Sequence, residues 1–63
     1  MNNPQIETII RVLLDQRNKD VKFFQETPES DLGQRRFYQG EISAFDVAIK
    51  LLLEAKKKDN QAN

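Results

Sequence analysis

One break interrupts an otherwise helix-competent chain: Glu26-Thr27-Pro28-Glu29-Ser30-Asp31. On either side of it the apolar residues recur at helical spacing, and nothing alternates with the period of a strand. A short connection between two such segments makes them antiparallel neighbours. The fold class expected is therefore all-α, an antiparallel two-helix hairpin over residues 1–58. Helix 1 should cover about residues 4–25 and helix 2 about 28–58, with a mobile polar tail at 59–63. Asn3 is a strong N-cap, and Pro4 suits the first helical position, where its missing N–H costs nothing. For helix 2, Thr27 before Pro28 repeats that pattern, and Ser30 offers a second cap with a start near Asp31.

The first helix has a wide apolar arc, Ile6, Ile9, Ile10, Leu13, Leu14, Val21 and Phe24, flanked by Val12 and Phe23. One partner helix does not cover so broad an arc. Its polar side carries Glu7–Arg11 and Asp15–Lys19, acid-before-base pairs four residues apart that support an exposed helix. In the second helix Gly33 and Gly40 each disfavour helix by about 1 kcal/mol relative to Ala. Beyond them two stripes run. Tyr38, Ile42, Phe45, Ile49 and Leu52 follow the seam spacing of coiled-coil packing. Phe37, Ala44, Val47, Ala48, Leu51 and Ala55 lie on nearly the opposite side. A helix apolar on two sides is buried on two sides. With the large-residue seam facing helix 1, through Ile42, Phe45 and Ile49 against Ile6, Ile10 and Leu13, the second stripe is left for another subunit. The reverse assignment of the two stripes stays open.

Size points the same way. A chain of 63 residues buries little of its surface, and small scaffolds need a disulfide, a metal or a partner subunit. With no Cys and no His, disulfides and ordinary zinc sites are excluded, and oligomerisation remains. The expected assembly is a homodimer, a four-helix bundle with the second helices central. Its interface would be Phe37, Ala44, Val47, Ala48, Leu51 and Ala55.

Within the first helix Arg17 and Asp20 interrupt the apolar face. Antiparallel packing would set Arg17 near Tyr38 or Glu41 and Asp20 near Arg35, as partly buried pairs that fix register. A functional polar pocket is the alternative. Arg35-Arg36-Phe37-Tyr38 places two guanidiniums beside two aromatics, a grouping able to hold a phosphate or stack a base. Arg35, Arg36 and Tyr38 are thus candidate ligand-binding residues; alternatively the aromatics are core, Arg35 pairs with an acid and Arg36 is solvated. Lys56-Lys57-Lys58 places positive charge where a helix C-terminus favours it.

The commonest acid–base and nucleophilic groups are missing, and Gly33 and Gly40 are isolated from any phosphate loop. The expectation is a protein without catalytic activity, cofactor or metal. Ten basic residues balance ten acidic ones, which argues against general nucleic-acid binding. No apolar run exceeds three residues, so no membrane partner is expected. The absence of Cys and of a signal-peptide pattern at residues 1–4 points to a cytoplasmic setting.

Tyr38-Gln39-Gly40-Glu41-Ile42-Ser43-Ala44, followed by Ile49 and Leu52-Leu53, is similar to a phrase found in small uncharacterised bacteriophage proteins. In them an aromatic, a Gly-Glu-Ile step and a small residue open an apolar helix. The likeness covers about a third of the chain. It implies a phage or mobile-element accessory protein, with no activity to carry over. The leading expectation is a non-enzymatic, homodimeric interaction protein that binds another protein. The alternatives are a dimeric binder of an anionic ligand or nucleic acid through Arg35 and Arg36, and a structural component of a larger assembly.

Overall fold

A computed structural model describes the backbone of residues 4–61 and the side chains of residues 4–58. Two helices account for nearly all of it: α1, Pro4–Glu26, and α2, Leu32–Gln61. The Asn3 cap and the end of the proposed tail, residues 62 and 63, lie outside the described residues. Residues 59–61, assigned to the tail, instead extend α2.

The turn is built differently from the Thr27-Pro28 cap expected. Thr27 closes α1: its Oγ1 donates to the Phe23 carbonyl at 2.7 Å and its N–H to the Phe24 carbonyl at 3.2 Å. Threonine back-bonds readily in this way, so a Thr-Pro pair serves the end of one helix as well as the start of the next. The cap of α2 is Asp31, whose Oδ1 accepts the Gln34 N–H at 3.2 Å while its carbonyl accepts the Arg35 N–H at 3.1 Å. Ser30 stays in the turn. Helix 2 therefore starts at Leu32, four residues after Pro28 and one after the alternative start at Asp31; measured from Pro28, every cross-helix level moves with it.

The seam between the helices is the large-residue stripe. Ile10 and Ile49 are each 8% exposed, and Ile6, Leu13, Val21 and Phe24 are half-buried against Tyr38, Ile42, Phe45 and Leu52 on the matching side of α2. Beyond that seam nothing is stacked. The molecule measures 52 × 14 × 11 Å between Cα extremes, a single layer of two helices. Its radius of gyration is 14.8 Å, against about 10.6 Å for a compact domain of this length. No large side chain among the described residues is sealed from solvent. Most domains bury a core between two layers; here there is one layer.

Candidate functional site

The two broad faces of the hairpin differ in kind. At about 100° per residue, Ile9, Val12 and Phe23 share one flank of α1. Phe37, Ala44, Val47, Leu51 and Ala55 share one flank of α2. Antiparallel packing turns both flanks to the same side of the layer. The rings join them: Tyr38 lies between, 5.7 Å from Phe23 and 5.4 Å from Phe37, centroid to centroid. Val47 is 58% exposed and Leu51 59%, and Ile9, Val12, Phe23 and Phe37 are also open to water. Ala48 is half-buried at the border between this face and the inner seam, while Ala44 and Ala55 are exposed. Large apolar patches of this kind mark contact surfaces in soluble proteins.

The opposite face is held by charge, with Leu14 and Leu53 exposed among the ion pairs. Arg17 Nε donates to Asp46 Oδ1 across the seam. Lys56 Nζ reaches Glu7 Oε1 at 2.8 Å, and the Lys56 hydrogen bond and charge hold the Glu7 carboxyl below its ordinary range. Asp15 and Lys19 pair along α1 at 3.3 Å as expected, whereas Glu7 takes Lys56 as its hydrogen-bonded partner in place of Arg11. Lys56 is thus a cross-helix clasp. Because α2 runs on to Gln61, only Lys58 of the lysine run sits in its last turn.

The expected neighbours of Arg17 and Asp20 are corrected by the later start of α2. Arg17 meets Asp46, one to two turns beyond Glu41 and Tyr38. Asp20 is 9% exposed and makes no ion pair among the described residues. No sealed side-chain oxygen or nitrogen there lacks a hydrogen bond, so its carboxylate oxygens still reach solvent.

Arg35 lies further toward the turn than Asp20. Its Nη1 donates to the Thr27 carbonyl at 3.0 Å and its guanidinium stacks 4.2 Å from the Phe24 ring centroid. The last turn of α1 carries no basic residue of its own, so α2 supplies the cation that the C-terminal carbonyls favour. That missing charge was the signal by which the role of Arg35 could be read from sequence. Arg36 is exposed and points away by helical geometry, and Tyr38 is committed to the aromatic stack. Arg35, Arg36 and Tyr38 are therefore not assembled into one cradle.

Comparison with models of known protein families, with curated proteins and with solved structures finds no match. The surface has to be read from its own chemistry. Its depressions are open to solvent, one beside Pro4, Gln5, Thr8 and Ile9, another beside Asp31, Gly33, Gln34 and Phe37. Among the described residues no three acidic side chains converge as a metal site requires, and no helix is long and apolar enough to cross a membrane.

Proposed function

We propose that this chain is a non-enzymatic interaction protein that pairs with itself through its apolar face, the resulting helical bundle binding another protein in a phage-accessory role inside the cell. One observation carries the reading: residues from both helices, Val12 and Phe23 with Phe37, Val47 and Leu51, lie side by side on one broad face and are about half exposed. Leaving such a face in water forgoes about 25 cal/mol for each Å² of apolar surface. The phage setting rests on the resemblance of residues 38–44 and their continuation.

Light scattering at micromolar concentration tests the reading. A mass near two chains of 7.4 kDa is expected. A folded species of one chain, with helicity intact, would contradict it.

A further inference from the structure

We infer that another protein docks on the ionic face, and that the docking segment is an acidic amphipathic helix carrying two apolar side chains about one turn apart. This rests on the protein-binding part of the reading above and adds the face and the chemistry of the partner. Self-pairing would use the opposite, apolar face and leave this one open.

The ionic face has a small apolar centre. Leu14 is 41% exposed and Leu53 50%. Leu53 rims a depression shared with Glu7, Ile10, Arg11 and Lys56, and the buried Ile10 lies at its floor. The two cross-helix ion pairs set the levels. Glu7 meets Lys56 and Arg17 meets Asp46, ten residues apart on each helix. Three residues inward from each pair, Ile10 stands level with Leu53 and Leu14 level with Ile49. Leu14 and Leu53 are thus four residues, about 6 Å, apart along the hairpin. Side chains four apart on a helix laid along the seam match that step. A lone exposed leucine is ordinary. Two at this step, over a depression and ringed by ion pairs, have the make-up of a binding hot spot.

Charge defines the partner. Glu7 and Asp46, the carboxylates beside these leucines, are held by Lys56 and Arg17. Three cations are left over: Arg11 three residues before Leu14, Lys50 three before Leu53 and Lys57 four after it. Such spacings make neighbours on a helix surface. All three are exposed, and none makes an ion pair among the described residues. Arg11 acts on Glu7 only through its charge, more weakly than Lys56 does. Glu54 follows Leu53 directly and is turned about 100° away from it around the helix. The whole chain has no net charge, so this surplus is local. A second copy presenting the same face would set cation against cation, and a basic segment would meet the same repulsion. A wholly apolar segment would cover the three cations without pairing them. Carboxylates flanking two apolar anchors would pair with Arg11, Lys50 and Lys57 at the rim while the anchors enter between them.

A displayed library of short helical peptides, panned against the full chain, tests the inference. The enriched peptides should be net acidic, with apolar residues four apart. A synthetic peptide of an enriched sequence should lose about ten-fold or more in affinity for Leu53→Ser and for Lys50→Glu, measured by fluorescence anisotropy. Both positions are exposed, so helicity should be unchanged. Added salt should weaken the binding. Enriched peptides that are neutral or basic, or that bind both variants as tightly as the wild type, would overturn the inference. So would a library from which nothing is enriched. Self-pairing is read separately, as the mass by light scattering. Leu53→Ser should keep the wild-type mass; a fall from two chains to one would put Leu53 in the self-pairing contact and overturn the assignment of this face. A wild-type mass of one chain, beside acidic peptides that are lost on Leu53→Ser, would remove the self-pairing and keep the docking face.

Discussion

The two broad faces of this hairpin are made by the same two helices and solve opposite problems. The ionic face pairs its charges within one chain: Arg17 with Asp46 and Glu7 with Lys56 tie α1 to α2 while their side chains stay wet, and Leu14 and Leu53 stand exposed among them. The apolar face is incomplete, because the residues that rise from it have no second layer to meet. Charges on a thin molecule can be satisfied locally and by water; apolar groups can be satisfied only by more protein. The contrast teaches that exposure carries information by chemistry. A half-exposed salt bridge is satisfied by water, whereas a half-exposed row of Phe, Val and Leu marks a candidate contact surface.

Substitutions along the seam and on each face test the difference. The largest effect belongs to Ile49→Ala, which empties the best-buried position of α2 and should cost about 2–5 kcal/mol in thermal or urea unfolding. Any protein that remains folded should keep its assembly state. Leu51→Glu, two residues on, should be within about 0.5 kcal/mol of neutral if Leu51 simply faces water. On the present account it removes a buried leucine, worth about 1.5–3 kcal/mol, and puts a charge into the contact. The mass should fall to one chain, with partial loss of helical circular dichroism.

The two glycines give a smaller and more discriminating effect. In the single hairpin both have room for a methyl group. Gly33→Ala and Gly40→Ala, seven residues apart on the flank that carries Phe37 and Ala44, should each raise stability by up to about 1 kcal/mol through helix propensity if that flank faces water. A gain smaller than that, read from thermal midpoints, is expected where a second chain packs on the flank.

The ionic face should give the least. Asp46→Asn should cost at most about 1 kcal/mol, since the pair with Arg17 is half exposed. For Glu7 the sign is set by its lowered pKa. A carboxyl whose folded pKa lies below its unfolded value contributes stability above the unfolded value. That contribution fades as pH falls through the lowered folded value. Glu7→Gln should therefore flatten the acid side of the midpoint-against-pH curve, and added salt should shrink the difference between the two proteins.

Much of the fold was legible because it rests on periodicity. The absence of Gly and Pro from Gln5 to Gln25 and the 4-3-4-3 spacing from Tyr38 to Leu52 leave little choice but two long helices. Side-chain size favoured the inner seam through Ile42, Phe45 and Ile49 but left the reverse open, and the burial of Ile49 decides it. Register was less legible, because it depends on where α2 begins. Thr27-Pro28 reads as a helix start, yet Thr27 back-bonds into α1 and Asp31 takes the cap, so Arg17 meets Asp46 and Arg35 meets the end of α1. A local motif with two competing uses is decided by tertiary contacts that no spacing records. Leu14 shows the other limit: it belongs to the apolar arc of α1 by angle, but one partner helix is too narrow to reach it, and it stays exposed.

On the proposed reading the second layer of this molecule is supplied by association. Thermal unfolding followed by circular dichroism over a hundred-fold range of protein concentration tests it most directly. A folded state that needs two chains is stabilised by mass action, so the midpoint should climb steadily with concentration. A midpoint that stays fixed across the whole range, with a single sharp transition, would mean that one hairpin is stable with its apolar face in water, and would contradict the account.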